Sequence, residues 1–428
     1  MGQAPDFGFR RALLLQGPNG PFFRRFAAEL RDKGVEVTKV NLHAGDAFFF
    51  PGPSAVSFRG RREQWPAWIE RLMREGKFDA LYVFGDGRIY HRPAIEIARK
   101  LGLRVFVFEE GYLRPDWVTF EEHGVNGYSP MPRDPDFFRA YALRHVAPER
   151  VEAVGPTFGI GAFWATTLAM AATLAFFRYP HYRHHRSINC WAEMMRWIRG
   201  AARKLWFRAK ERGVLERLKR EHAGRYFLVA LQVYCDYQLV HSRFTSIEAF
   251  IDEVLGSFAA HAPADVVLVF KHHPMDRAYR DYTRFLKKAA ARHGLSDRVI
   301  YVHDLHLPTL LRRARGAVMI NSTVGLQALQ YGTPVKVLGD AVYDMPGMTC
   351  QKSLDTFWVE PGEVDRQLVR AFCTYLLCEN QANGSYARRL KSVPHGAGLS
   401  WFPGEQATRI NAQPPREPAP DSGDAAGV

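Results

Sequence analysis

Two stretches of the chain alternate short β-rich apolar runs with longer segments of helical period. Over residues 11–130 the predicted strands are Ala12–Gln16, Val35–Val40, Ala80–Phe84 and Val105–Phe108, with helices over Pro21–Lys33 and Arg92–Leu101. Over residues 224–345 the predicted strands are Tyr226–Gln232, Val266–Lys271, Val299–Val302, Ala317–Ile320 and Val335–Leu338, with helices over Ile247–Ala260 and Arg277–His293. Such alternation predicts parallel sheets covered by helices on both faces. The two halves share this plan without sharing a short sequence repeat. The predicted fold is therefore α/β, with two doubly wound, Rossmann-like domains facing a cleft. Ligands of such sheets sit at the carboxyl ends of the strands.

A length of 428 residues fits two domains of about 100–200 residues each. The expected N-terminal domain covers 8–150 and the C-terminal one 223–345, with a helical insert over 151–222. Residues 346–402 read as mostly helical, for example Glu363–Glu379, and can cross back to the first domain. The tail 403–428 is rich in Pro, Ala, Gly and Asp, and its small apolar content predicts disorder.

The insert departs from the pattern. Residues 153–177 carry no charged side chain over 25 positions, yet include three Gly, four Thr and one Pro. A spanning helix needs about 20 apolar residues, so length permits one, while the composition favours a buried or membrane-surface helix. Residues 183–220 hold 12 Lys/Arg against three Glu, which accounts for most of the formal net charge of +14. Trp191, Met195, Trp197, Ile198, Leu205 and Trp206 are interleaved with those charges. This composition suits a helix lying on an anionic leaflet; the plainer alternative is a solvated helix that packs its aromatic face on the protein. No nucleic-acid motif accompanies the basic stripe, so a nucleic-acid partner is not expected.

Five cysteines, an odd number without a CxxC pair, argue against a disulfide framework or structural zinc and suit a reducing cytoplasm. The N-terminal MGQAPDFGFRR lacks an apolar signal core and a myristoylation signal. His181, His184 and His185 have no standard metal spacing, and their arginine neighbours repel a cation.

Candidate chemistry concentrates in four clusters, each directly after a predicted strand. Gln16, Gly17 and Asn19 lie in a glycine-containing turn that allows close approach of a ligand, a feature many α/β turns share. Glu109 and Glu110, followed by Gly111 and Arg114, form a general acid/base position or an ordinary surface turn. Lys271, His272 and His273 can neutralise a leaving nucleotide phosphate, with one histidine open to a structural role. Asn321, Ser322 and Thr323 precede a helix and provide either an anion site or a plain cap. The chain has neither a P-loop nor a GxGxxG turn, which removes the usual kinase and dehydrogenase readings. Asp134-Pro135-Asp136, a formal DxD, sits in a Pro-rich turn unsuited to metal binding, so neither metal nor cofactor is expected.

An acidic pair followed by Gly in the first half, with His-Pro in the second, is similar to bacterial transferases that use CMP-activated ulosonic or nonulosonic sugars. The strings LLLQGPNGPFF, VFEEGYLRPDWVTFE, LQVYCDYQLVHSRF, FKHHPMDR and INSTVGLQALQYGTPVKVLG together resemble the KpsS/LipB family of capsule proteins, across residues 11–345. The resemblance implies a GT-B-like fold. It implies transfer of Kdo from CMP-β-Kdo to a phosphatidylglycerol-type lipid with retention, at the cytoplasmic face of the inner membrane, priming the lipid terminus needed for capsule export. On this resemblance Glu110, supported by Glu109, is the acid/base carboxylate. His273 with Lys271 contacts the CMP phosphate, His272 being a second candidate, and Ser322 and Thr323 hold the nucleotide. Asp236, between Gln232 and Gln238, resembles the carboxylate proposed as covalent nucleophile, or serves as a hydrogen-bonding residue. The implied partners are CMP-Kdo, an anionic lipid on the inner membrane, a chain-extending Kdo transferase and the capsule export complex. The rival readings are a sugar-nucleotide epimerase, a GT-B transferase with another donor, a non-catalytic export or scaffold component, and a nucleic-acid binder.

Overall fold

The computed structural model describes residues 9–148, 151–183 and 189–401. His184, His185, the first eight residues and the tail from 403 lie outside the described residues.

The strands are β1 (Arg11–Leu14), β2 (Glu36–Asn41), β3 (Ala55–Ser57), β4 (Ala80–Phe84), β5 (Arg104–Glu110), β6 (Trp117–Glu122), β7 (Tyr226–Ala230), β8 (Val267–Lys271), β9 (Val299–Val302), β10 (Gly316–Met319), β11 (Val335–Val337) and β12 (Gln381–Asn383). In the first half the helices are α1 (Phe22–Asp32), α2 (Ala44–Phe49), α3 (Trp65–Gly76), α4 (His91–Lys100) and α5 (Pro135–Ala142). The insert contributes α6 (Phe158–Leu174), α7 (Cys190–Lys210) and α8 (Val214–Glu221). The rest are α9 (Ile247–His261), α10 (Thr283–Arg292), α11 (Leu307–Arg313), α12 (Val324–Gln330), α13 (Leu354–Phe357) and α14 (Arg366–Glu379).

The first sheet has the order β12-β6-β5-β4-β1-β2-β3 and the second β11-β10-β7-β8-β9. Each contains the same parallel run, growing outward in two directions from its first strand. The direction changes between β1 and β4 and between β7 and β10, and a crevice opens at such a switch point. Strands β7, β8 and β10 bury every residue, as strands covered on both faces must. Alternate residues feed different cores. Leu13, Leu81 and Val107 face one side of the first sheet, whereas Leu14, Tyr82 and Phe108 face the other. In the second sheet Leu228 and Val269 separate in the same way from Phe227 and Phe270. Two doubly wound domains with a helical insert give the expected GT-B-like architecture.

The edge of the first sheet differs from a wholly parallel prediction. β6 runs antiparallel to β5, and β12 antiparallel to β6. The predicted helix over 277–293 begins only at Thr283, because Arg277 is drawn into an ion pair with Asp304 and Tyr282 is buried ahead of the helix. Segment 346–402 is less helical than predicted: after α14 the chain crosses back to the first sheet as β12, then continues irregularly. α14 joins the second-sheet core through Leu368, Phe372 and Leu376, with Phe372 against Phe138 of α5 at 4.9 Å between ring centroids. The return is fixed by polar contacts of Asn383. Its amide donates to the carbonyls of Asp116 (2.8 Å) and Glu152 (3.0 Å), and its Oδ1 accepts from the Glu152 N–H (3.0 Å).

The insert rests on both halves. α6 lies over α2, where Trp164 meets Phe49 and donates to the Ala387 carbonyl (3.0 Å). α7 docks on the second half: Phe207 stacks on His303, and Glu211, just past its end, accepts from the His303 ring (2.7 Å) and from the backbone N–H of His303 (2.8 Å) and Asp304 (3.2 Å). α6 is 17 residues long, and no helix among the described residues is long and apolar enough to cross a membrane.

Replacing Asn383 with Leu keeps the β12 backbone pairing but deprives the part-buried N–H and carbonyl of Glu152 of their side-chain partner and leaves the Asp116 carbonyl to the Gly384 N–H alone. The expected loss is about 1–3 kcal/mol of unfolding free energy, read from a lower urea midpoint at unchanged slope. An unchanged midpoint would mean that Asn383 does not hold the crossover in place.

Candidate active site

The strand ends of the first sheet provide one rim of the cleft. Gln16 follows β1 and is buried. Its side chain accepts from the Arg88 guanidinium (3.2 Å) and donates to the Tyr182 hydroxyl (3.1 Å). The glycines of that turn serve packing rather than open access: a Cβ at Gly17 would meet the Phe23 ring at 2.8 Å, and one at Gly20 the Trp164 ring at 2.9 Å. Asn19 is exposed on the outer surface of the turn. At the end of β5 the two glutamates part, as successive residues of a strand must. Glu109 turns inward, accepting from the Glu110 N–H (2.9 Å) and from the Gln238 amide (3.3 Å). Glu110 stays at the exposed rim, 3.9 Å from Arg114, which itself donates to the Gly111 carbonyl (3.2 Å). Burial pushes the Glu109 carboxyl up to about 7, with the charge of Glu110 adding to the effect.

The opposite rim comes from the second sheet. After β7, Asp236 accepts from the Gln238 N–H (3.0 Å) and the Gln232 amide (3.3 Å). Gln232 also donates to the Asn321 side chain (2.9 Å) and accepts from its N–H (3.2 Å). Asn321, which follows β10, donates to the Gln238 carbonyl (2.7 Å). Two loops from neighbouring strands at the switch point are thus laced into one unit, with Asp236 half-buried on its surface.

Gln238 closes the gap between the rims. Besides donating to Glu109, its side chain accepts from the Asn126 amide (3.1 Å). Backbones meet closely here: a Cβ at Gly87 would lie 2.9 Å from the Tyr237 carbonyl oxygen, and one at Gly127 2.7 Å from the His241 ring. Five residues singled out in sequence therefore come together, namely Glu109, Gln232, Asp236, Gln238 and Asn321. Sequence reasoning passed over Asp86, Arg88, Asn126 and His241. Asp86 and His241 are buried across the junction from each other at 3.7 Å. The signal available for Asp86 was its place after β4, the other switch-point strand, in Phe84-Gly85-Asp86-Gly87.

The histidine choice after β8 divides by environment. His272 is buried, and its Nδ1 pairs with the Tyr301 hydroxyl (2.6 Å). Burial holds its ring at about 3, so it is neutral at physiological pH. His273 is half-buried at the rim, where its Nδ1 accepts from the Met275 N–H (3.2 Å). Lys271 is buried and donates to the backbone carbonyls of His272 and His303; burial brings it down to about 8. Ser322 accepts from the Val324 N–H (3.3 Å), which makes it a turn-closing cap, and Thr323 starts α12 without a side-chain cap bond. The formal DxD is a helix start: Asp134 caps α5 by accepting from the Asp136 N–H (2.9 Å), and Asp136 pairs with Arg139 (2.7 Å). Among the described residues no group of three or more His, Cys, Asp or Glu is placed to hold a metal ion.

Comparison with known proteins adds a family. The family described as capsule polysaccharide biosynthesis protein matches residues 79–386. The chain is 39% identical over 384 residues to the capsule polysaccharide export protein KpsS of Escherichia coli, covering 88% of this chain and 97% of that protein. It is 40% identical over 382 residues to the capsule polysaccharide modification protein LipB of Neisseria meningitidis serogroup A, covering 87% and 91%. Among solved structures, the Thermosulfurimonas dismutans KpsC β-Kdo 2,4 transferase overlaps with a TM-score of 0.42 at 14% identity, over 85% of this chain and 89% of that one.

A second carboxyl behind the cleft makes a pH prediction. Glu121 of β6 is buried, accepts from the Ser129 hydroxyl, and is pushed up to about 7 by burial. Its folded value lies above its unfolded one, so its contribution is fully present below about 4.3 and is lost as pH rises through 7. Relative to Glu121→Gln, the wild type should lose about 1–3 kcal/mol between pH 5 and pH 8. Urea unfolding of both proteins at the two pH values checks this, and parallel curves would refute the burial argument.

Proposed function

The chain belongs to the capsule polysaccharide biosynthesis protein family, and from that premise we propose that it is a glycosyltransferase acting on a lipid at the inner-membrane surface. The proposed reaction transfers Kdo from CMP-β-Kdo to a phosphatidylglycerol-type lipid with retention, priming the lipid terminus of a capsule. One observation supports it above the others. A proton-exchanging carboxyl from one domain and a carboxylate from the other, Glu109 and Asp236, are joined through Gln238 in a single cleft.

Retention by double displacement needs a nucleophile at the anomeric carbon and an acid/base group near the acceptor. In the first step the Asp236 carboxylate forms a bond to the anomeric carbon of Kdo as the bond to the CMP phosphate oxygen breaks. CMP leaves with its electron pair, and His273 and Lys271 offset the charge of the phosphate. In the second step the lipid hydroxyl attacks the same carbon, expelling Asp236 and giving its proton to the glutamate pair. Glu109 is the better matched of the two, because a carboxyl near 7 both accepts and releases a proton at physiological pH. Glu110, beside Arg114 at the open rim, is the more exposed of the pair.

The insert supports a membrane-surface location. α6 buries only Ala169 and Ala172, while Phe158, Phe163 and Leu174 are exposed. α7 exposes Trp191, Met195, Ile198 and Trp206 among its basic residues. The Phe158 and Trp197 rings lie 5.9 Å apart, which joins the two helices into one apolar surface. Surfaces of this kind mark interaction sites, and the basic flank suits an anionic leaflet.

The direct test is transfer from CMP-Kdo, generated in situ, to a fluorescent phosphatidylglycerol analogue. A one-Kdo lipid is expected from the wild type, with rates about 10²–10⁴-fold lower for Glu109→Gln and Asp236→Asn, and a comparison with Glu110→Gln assigns the base. The wild-type rate should fall below pH 7 with a slope of one proton, as Glu109 becomes protonated. Folded wild-type protein that yields no product and releases no CMP would overturn the transferase reading in favour of another donor or a non-catalytic export component.

A further inference from the structure

α7 carries a feature that the cleft does not use. Between its C-terminal half and the segment entering α10 lies a cavity of about 600 Å³, whose lining includes Arg199, Arg203, Lys210, Arg284, Trp206 and Asp281. The four α7 residues recur at helical spacing and share one face.

The cations of this cavity fall into two classes. Arg203 is committed to the protein: it donates to the carbonyls of Arg277 (2.9 Å) and Arg280 (3.2 Å) and to the Asp281 carboxylate (3.3 Å). Asp281 is committed as well, accepting from the Thr283 N–H (2.9 Å) and hydroxyl (2.6 Å). Arg199, Lys210 and Arg284 line the same space and make no hydrogen bond or ion pair with the described residues. One carboxylate already answered by Arg203 therefore faces three uncompensated cations. Guanidinium groups converging on an open cavity suit a phosphate oxyanion.

The rim identifies what the anion is attached to. Trp206 is 64% exposed and its neighbour Leu205 67%. About two and four turns back on the helix, Ile198 and Trp191 are exposed too. A soluble phosphate needs only the cations, whereas a phosphate at the boundary between cationic cavity and apolar helix surface fits the head of a lipid. We propose that this cavity binds the phosphodiester of an anionic glycerophospholipid, with the acyl chains lying along the exposed apolar side of α7. The inference rests on the anionic-lipid acceptor reading above and gives that lipid its binding site.

The cavity also lies beside the cleft. The backbone that Arg203 holds, 277–280, carries Tyr279, which packs on Tyr234 at 6.1 Å between centroids, while Arg280 stacks over the same ring at 4.7 Å. Tyr234 is two residues from Asp236. A headgroup seated here is held one loop away from the proposed nucleophile.

The test measures sedimentation of the full chain with phosphatidylcholine vesicles, with and without phosphatidylglycerol, in the absence of sugar donor. Arg199→Ala/Arg284→Ala removes two cavity charges; Lys204→Ala/Arg208→Ala removes two from the opposite face of α7 and equals it in overall attraction. The cavity pair should weaken binding to phosphatidylglycerol vesicles by about tenfold more than the control pair does. Equal losses, or none, would overturn the proposal. Titration with micelle-free dihexanoyl phosphatidylglycerol, followed by tryptophan fluorescence, should saturate in the wild type and resist equimolar inorganic phosphate. Displacement by inorganic phosphate would assign the cavity to free phosphate and reject the lipid. Because no donor is present, a wild type that fails to transfer Kdo still reports on the cavity, and a failed cavity test leaves the transfer assay readable.

Discussion

Gln238 donates to Glu109, accepts from Asn126 and receives Asn321 on its backbone carbonyl, so polar groups of both halves of the candidate site meet on one residue. The convergence follows from topology. Parallel strands in this order deliver their loops to one edge, and each half has a crevice where its strand order reverses. Facing the two crevices removes part of the cleft floor from water. Each polar group placed there then needs a partner, since an unmatched buried donor or acceptor costs about 1–3 kcal/mol. Gln232, Asn321 and Gln238 supply those partners for one another, which leaves Asp236 held at fixed orientation and Glu109 held without a full charge. The raised value of Glu109 is thus a product of the joint, with Glu110 adding a smaller push.

The alternating pattern made the two parallel cores readable, because a strand covered on both faces shows as a continuous apolar run whichever domain it serves. β6 and β12 were not readable. β6 reads Trp-Val-Thr-Phe-Glu-Glu, and its two buried glutamates look like a surface in sequence; Arg104 compensates Glu122 (2.7 Å), and protonation answers for Glu121. β12 reads Gln-Ala-Asn and has no apolar signal at all; side-chain amides hold it, with Gln381 accepting from the Tyr112 N–H (2.9 Å) and Asn383 binding two carbonyls. Amide-held edges follow no period that sequence can show.

The candidate site was legible to the extent that strand ends were. Glu109 and Asn321 were found because each followed a strand, and Gln232, Asp236 and Gln238 through the family resemblance; their grouping was not found because it depends on pairs distant in the chain, such as Glu109 with Gln238. The choice between His272 and His273 turns on Tyr301 and His303, neither of which is near them in sequence. The glycine turn after β1 misled in the opposite sense. Glycine there suggested room for a ligand, whereas Phe23 and Trp164 fill that room, and the turn serves to seat α1 and α6.

Trp164 also shows how the insert is tied to the machinery. α6 is fixed to the first half through Gly20, Phe49 and Ala387, while α7 is fixed to the second through Glu211 with His303 and through Glu193 with Tyr279 (2.7 Å). The two helices touch each other as well, where Thr173 accepts from the Cys190 N–H (2.9 Å). A pair of helices anchored to separate domains and joined to each other constrains how far the cleft can open on that side. Its apolar exposure is on the same pair. On the proposed reading, a membrane that holds both helices in one plane also restricts the relative motion of the two rims, so that binding the surface and shaping the cleft draw on the same contacts. On the same proposed reading the apolar area outside the cores has a use: burying it against the protein would satisfy the hydrophobic effect but leave nothing by which a lipid could align the site.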